Sequence, residues 1–418
     1  MHSIHPLRQP QKTDRYRPLV CLVAIPGLIV LTMLAWSFRN DKALMLPSTA
    51  TMFKKFVYYR GQPLNDNIPE NVCSIEGFNQ GQWEHEPIKA KDQKSFEKET
   101  GYHCHKKFPH QCYKRNKHEL DRNRHIVDYT WKPSECSVLS MDPHTLAQHL
   151  SEHPLLFIGD SITQLQFESL SCLLGEYLQV PKKNEKALTG GNPHIKVNQL
   201  VYKNEQGDKA LAVAFLRSDN LVRLGDYKVL EPMDDQGELL SKGSNYPWRH
   251  LIPYFDYIVL NTGPHWRSDL KFGPNRSQEE LLEGYTAAMN SVFQALKEDV
   301  ESHQRVWLRT SPFGHTECSQ YSDPQETIVK PSPEPYEWNM FEPYNEVYSN
   351  WIAKQQGDER FQLLDVSFTD YRGDAHSRPD KDCLHFCLPG PVDDWNRLLY
   401  HEIAKLTFQS YNETMSNL

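Results

Sequence analysis

Short apolar runs recur along the chain beyond residue 154: LLFIG at 155–159, ALAVAFL at 210–216, YIVLNTG at 257–263, VWLRT at 306–310 and FQLLDV at 361–366. Their length and β-branched content predict buried strands. Helical patterns lie between several of them. After Ser161, the residues Ile162, Leu165, Leu170, Leu173 and Leu174 recur near helical spacing, with Gln166 and Glu168 among the polar positions. The run SQEELLEGYTAAMNSVFQALKEDV opens on Ser277 and an acidic first turn, the pattern of a capped helix. PGPVDDWNRLLYHEIAKL, from Pro389, reads as a helix begun after proline. Strands alternating with helices predict an α/β domain built on a mainly parallel sheet. Substrate sites in such sheets lie at the carboxyl ends of the strands.

Upstream the pattern differs. Pro18 to Phe38 contains no charged residue and is long enough to cross a bilayer core as a helix. Arg8, Lys12, Arg15 and Arg17 precede it, which keeps the N-terminus cytosolic. A cleaved signal peptide is the competing reading, but no small-x-small cleavage site follows the run. The expected organisation is a cytosolic tail (1–17), a transmembrane anchor (18–38), a stem (39–72), a cysteine-rich subdomain (73–150) and a catalytic domain (151–410). Eight cysteines follow the anchor, an even number that suits disulfides in an oxidising compartment. Spacing alone leaves their pairing open. Asn275 and Asn412 head N-glycosylation triplets.

Composition narrows the function. The chain is 39% hydrophobic and 24% charged, as folded proteins are, and its net charge of -8 carries no footprint for nucleic acid. The polar residues at the strand ends are more telling. Gly159-Asp160-Ser161 closes the first strand, Asn261-Thr262-Gly263 the third, and Asp382 and His385 stand three apart in DCLHFCLPG. A serine hydroxyl is a poor nucleophile until a base takes its proton. Histidine suits that task, and a carboxylate on its other ring nitrogen fixes the tautomer. Asp382 and His385 one turn apart would share a face. A helix starting at Ser161 aims its own N–H at a developing oxyanion, and the Asn261 amide is a second expected donor. Each piece alone has an ordinary reading as a helix cap or a turn; the three together, in this order, point to acyl chemistry.

These blocks resemble the SGNH (GDSL-like) hydrolase superfamily. GDSITQLQFESLSCLL, VLNTGPHW and DCLHFCLPGPVDDWNRLL look more closely like the trichome-birefringence-like, or PC-esterase, family of polysaccharide O-acetyltransferases. CSIEGFNQGQWEHE and YTWKPSECSV resemble that family's cysteine-rich N-terminal domain, so the likeness runs from about residue 73 to 406. It implies an SGNH-like parallel sheet flanked by helices, in a type II Golgi-membrane enzyme with a luminal Ser161–His385–Asp382 triad. No bound cofactor is implied. The donor would be acetyl-CoA or a carrier derived from it, and the acceptor a polysaccharide or other glycan. The family's disulfide pattern would pair Cys73 with Cys136, Cys104 with Cys172, Cys112 with Cys387, and Cys318 with Cys383. Family members usually carry a histidine and two tryptophans after Asn-Thr-Gly; here Pro264 precedes His265 and a single Trp266 follows. The block expected near Arg217-Ser218-Asp219 is poorly matched, leaving acceptor recognition and a third oxyanion donor unassigned.

Further substrate contacts are expected at Asp160, Arg217, Gly263, His265, Trp266 and Arg309. Trp266 is the tryptophan expected to stack on a sugar ring. The basic, histidine-rich segment His103–His125 suggests a groove for an acidic glycan or a solvated loop. Luminal cysteines are better suited there to disulfides than to zinc, so no metal is expected. An acetylesterase with the same triad, and a non-catalytic glycan-binding protein anchored in the membrane, are the alternatives. Oligomeric state is not legible.

Overall fold

A computed structural model of the chain describes residues 63–182, 186–189, 192, 195–225, 228–232, 246–333 and 335–416. The expected tail and anchor, and the stem up to residue 62, lie outside the described residues. Among the described residues no helix is long and apolar enough to cross a membrane.

The cysteine-rich segment lacks long apolar periodicity and folds into short pieces. These are helix α1 (Ile75–Asn79), strand β1 (Gly81–His85), helices α2 (Gln93–Thr100) and α3 (Lys117–Val127), and strand β2 (Tyr129–Pro133). The side chains of Ser74, Asp92 and Asn116 accept first-turn backbone N–H groups and start the three helices. Strands β1 and β2 pair antiparallel. The four disulfides pair as the family resemblance implies: Cys73–Cys136, Cys104–Cys172, Cys112–Cys387 and Cys318–Cys383. Two of them cross from this segment to later parts of the chain, at Cys172 on the helix after Ser161 and at Cys387 beside His385.

The rest alternates as its apolar runs predict. In order come α4 (Pro143–Glu152), β3 (Leu155–Gly159), α5 (Ser161–Leu173), β4 (Leu178–Gln179), β5 (Val197–Lys203), β6 (Lys209–Arg217), β7 (Val222–Gly225), β8 (Lys228–Pro232) and β9 (Tyr257–Asn261). Then follow α6 (Gln278–Asp299), β10 (Arg305–Arg309), α7 (Phe341–Ala353), β11 (Phe361–Leu364), β12 (His376–Arg378), β13 (Asp382–Phe386) and α8 (Val392–Ser416). Seven strands form one sheet in the order β11-β10-β9-β3-β6-β5-β4. The first five run parallel, and β5 and β4 close one edge antiparallel. Every residue of β3 and β9 is buried, which is why both read as unbroken apolar runs. Helix α6 begins with a reciprocal capping box between Ser277 and Glu280. Helix α4 straddles the boundary expected at residue 150 and packs on β5 and β6.

In the strand order, the strands that follow β3 lie beyond it in one direction, and β10, which follows β9, lies in the other. Neighbouring strands with diverging exits leave a crevice at their carboxyl ends, where α/β sheets bind ligands. Ser161 heads the helix after β3, and residues 261–266 lead away from β9, so both border that crevice.

Candidate active site

Ser161 owes its position to its two predecessors. Gly159 allows β3 to pack closely: a Cβ there would lie 2.3 Å from the Asn261 carbonyl oxygen and 2.4 Å from Thr163 Oγ1. Asp160 is the N-cap of α5. Its Oδ1 accepts from the N–H groups of Ile162 (2.8 Å) and Thr163 (3.4 Å), and its Oδ2 from that of Gly263 at 3.3 Å. One buried carboxylate thus closes the helix and ties it to the loop after β9. Ser161 is left as the first helical residue, where its N–H has no intrahelical acceptor and faces outward with the positive end of the helix dipole.

The other end of the chain comes to meet it. His385 Nε2 lies 2.8 Å from Ser161 Oγ, and His385 Nδ1 lies 3.0 and 2.9 Å from the two oxygens of Asp382. Asp382 Oδ1 also accepts the backbone N–H groups of Leu384 and His385. Burial works against the Asp382 charge, but the hydrogen bond and positive charge of His385, with those N–H groups, hold the carboxyl well below its ordinary range. The His385 and Asp382 side chains are 19% and 24% exposed, so the series opens to solvent at the crevice. Asp382 and His385 meet by a different route from the expected helical face. They lie on strand β13, and the aspartate folds back onto the two N–H groups that follow it. The Cys318–Cys383 bridge sits between them in sequence and the Cys112–Cys387 bridge just beyond.

Several expected contacts take other roles. Asn261 is fully buried, and its Nδ2 donates to the Arg309 carbonyl (2.7 Å) and Ser311 Oγ (3.0 Å). Both amide hydrogens are used, so Asn261 is not an oxyanion donor in this arrangement. Arg309 is buried as well. It donates to Asn261 Oδ1 at 2.7 Å and lies over the Trp395 ring, and burial pushes its pKa down to about 10. Buried there, it orients Asn261. Trp266 is 1% exposed, bonds through Nε1 to Thr262 Oγ1, and packs on Phe272 and Tyr285. It is a core residue rather than a sugar platform. Asp160 is buried in its capping role, and Gly263 is buried with Ser311 Oγ 2.6 Å from where its Cβ would stand.

Arg217 and His265 differ from these. Their side chains are 23% and 39% exposed, and both approach Asp219, at 2.5 and 3.6 Å. Arg217 Nη1 also donates to Gln164 Oε1 (3.2 Å), and Gln164 Nε2 to Glu168 Oε1 (2.8 Å). A continuous polar strip therefore runs from Glu168 to His265. Burial pushes Glu168 up to about 6 and raises Asp219 above its ordinary value. The sequence pattern marks Glu168 only as a polar position of the helix and gives neither it nor Gln164 a site role, although their spacing of seven and three from Ser161 puts them on its helix face.

Reading by local pattern also missed His110. Its ring stacks on that of His385 with centroids 4.7 Å apart and planes 12° from parallel. The nearby Cys104 and Cys112 are both in disulfides and offer no thiolate to a metal. Elsewhere among the described residues, His85, His125 and Asp128 bring ligand-type atoms within 4.8 Å of one another, with His85 exposed and His125 already bonded to Asp323. The sequon residues Asn275 and Asn412 are both exposed.

A hydroxyl, an imidazole and a carboxylate in series at the strand ends of a parallel sheet form an arrangement that can support chemistry of the acyl-transfer class. Comparison with known proteins agrees with that class. Residues 139–402 match the PC-Esterase model, described as a GDSL/SGNH-like acyl-esterase family found in Pmr5 and Cas1p, and the chain belongs to that family. It is 25% identical over 315 residues to protein trichome birefringence-like 13 of Arabidopsis thaliana, covering 65% of this chain and 72% of that one. It is also 25% identical over 317 residues to xylan O-acetyltransferase 3 of Oryza sativa subsp. japonica, covering 66% of each. An acetyl-xylooligosaccharide esterase from Geobacillus aligns to 60% of this chain and 93% of its own, at 13% identity and a TM-score of 0.28. Membership of that family makes the chain an enzyme of the acyl-esterase and acetyltransferase type.

Proposed function

We propose that this enzyme is a polysaccharide O-acetyltransferase that carries an acetyl group on Ser161 from a donor to a glycan hydroxyl. The observation that carries the reading is the unbroken series Ser161 Oγ, His385 Nε2, His385 Nδ1, Asp382, at 2.8, 3.0 and 2.9 Å. Ser161 Oγ attacks the acetyl carbonyl carbon of the donor while its proton passes to His385 Nε2. The bond to the donor's leaving group then breaks, and His385 returns the proton to that group. In the second half a sugar hydroxyl attacks the acetyl-serine, gives its proton to His385, and Ser161 leaves and recovers it. Asp382 keeps Nδ1 protonated and balances the imidazolium charge. The Ser161 N–H, at the head of α5, is the donor that stabilises the tetrahedral oxyanion.

The donor is acetyl-CoA or an acetyl carrier derived from it, and the acceptor a polysaccharide. Arg217 and His265, still partly exposed on their polar strip, are the acceptor contacts this reading keeps. Four disulfides support an oxidising compartment. With the apolar run at 18–38, that supports a type II Golgi-membrane protein with a luminal site, glycosylated at Asn275 and Asn412.

The test incubates the full-length protein in detergent with an isotopically labelled acetyl donor and candidate oligosaccharides, followed by mass spectrometry. Label on Ser161 and then on sugar is the expected result. Label appearing only as free acetate would assign the same site to an acetylesterase. Unchanged sugar labelling by Ser161→Ala would favour a glycan-binding role and end the reading.

A further inference from the structure

The catalytic domain is not the only part of the molecule at the imidazole. His110 comes from the cysteine-rich subdomain, 275 positions before His385, and covers one face of its ring. Two bonds hold His110 to the hairpin that carries His385. Its Nδ1 lies 2.7 Å from Ser377 Oγ on β12, and its carbonyl oxygen accepts the Leu388 N–H at 2.8 Å. The Cys112–Cys387 bridge, two residues from each histidine, closes the same contact covalently. Ser377 is fully buried, so the anchoring hydroxyl has little freedom. Burial, and after it the charge of His385, push His110 down to about 3, which favours its neutral ring.

From this geometry we infer that His110 is a positioning residue for acyl transfer, fixing the plane of His385 and stabilising its imidazolium through a neutral aromatic face. The inference rests on the Ser161 acyl-enzyme reading above. During each half-reaction His385 takes up a second proton and becomes a cation. The faces of a neutral aromatic ring carry negative potential, and a cation within about 6 Å of the centroid is attracted to it. A stacked ring also blocks rotation about χ2, which would carry Nε2 away from Ser161 or Nδ1 away from Asp382. The attraction acts only while His385 is protonated and the packing acts throughout; neither contact is made with substrate, so both bear on turnover rather than on substrate binding.

The roles of ring and nitrogen can be separated. His110→Phe keeps a flat aromatic face and loses the bond to Ser377; His110→Gln keeps a polar group for Ser377 and loses the face. The full-length enzyme is assayed by acetyl transfer from a chromogenic acetyl ester, beside a Ser161→Ala control. The expected result is kcat near wild type for His110→Phe and about tenfold lower for His110→Gln and His110→Ala, with KM unchanged. Rescue by Gln with loss in Phe would make His110 a hydrogen-bonded strut and overturn the inference, as would full activity in Ala or equal loss in all three. Thermal melting accompanies each assay. If a variant melts too low to assay, the downfield Nδ1 proton of His385, bonded to Asp382, is read by NMR in the remaining ones. It should persist in Phe and broaden in Gln or Ala, and its persistence in all variants would overturn the inference. An active Ser161→Ala would instead remove the acyl-enzyme reading itself.

Discussion

Asp382 reaches His385 with both carboxylate oxygens, 3.0 and 2.9 Å from Nδ1, while two backbone N–H groups donate to one of those oxygens. The carboxylate is thereby held ionised and aimed at a single ring nitrogen. Asp382→Asn replaces an acceptor-only group with one that also donates, and so favours the wrong tautomer. It should lower kcat by about 10⁴-fold with little change in melting temperature, and His385→Ala should lose at least as much. Steady-state kinetics on both variants checks this. Near-normal turnover in either would remove the assigned base or its orienting partner.

Asp160 contributes through structure. Asp160→Ala removes the acceptor of Ile162 N–H, Thr163 N–H and Gly263 N–H at once. The cap alone is worth about 1 to 2 kcal/mol, and the Gly263 bond adds to it. Asp160→Asn keeps one carbonyl oxygen for the helix and should recover most of the stability. Chemical denaturation of the two variants should rank them in that order; equal loss would assign the cost to charge instead of capping.

His265 and Trp266 are adjacent in sequence and should separate by phenotype. Trp266→Ala empties a core site and should cost about 3–5 kcal/mol of stability. His265→Ala removes a partly exposed ring and should leave stability within about 0.5 kcal/mol while raising KM for the glycan. Melting curves and acceptor titrations on the pair decide it. A stable Trp266→Ala with impaired acceptor binding would restore the tryptophan to the sugar site.

Glu168 makes stability depend on pH. Burial raises its pKa to about 6 in the folded enzyme, above the ordinary 4.5. Folding therefore favours the protonated form. The penalty of burying the charge is fully present above about pH 6 and disappears below about pH 4.5. Glu168→Gln should be more stable than the parent by about 2 kcal/mol at pH 8, with the gap closing as the pH falls toward 4.5. A gap that widens on acidification would reverse the assigned sign.

How much of this was readable beforehand varies with the range of the contact. Strands such as Leu155–Gly159 and the capped helix after Ser277 are specified by neighbours in sequence, and both appear where the pattern predicts. The antiparallel strand Val197–Lys203, next to the edge of the sheet, is not among the expected strands, because Asn198 and Gln199 interrupt its apolar positions. Asn261, Trp266 and Arg309 stand at or just past strand ends, where polar and aromatic residues suggest a cleft. Their burial is set by neighbours such as Tyr285 and Trp395, on helices whose presence the spacing predicts but whose packing against the strand ends it does not. His110 lay beyond reach for the same reason: nothing near it in the chain announces a ring 275 positions away.

The separation of Ser161 from His385 also bears on the birth of the molecule. A ribosome must add 224 further residues after Ser161 before the hydroxyl acquires its imidazole. On the proposed acyl-serine reading, a chain ending ahead of Asp382 would carry the serine without its base, so unfinished copies would not consume donor.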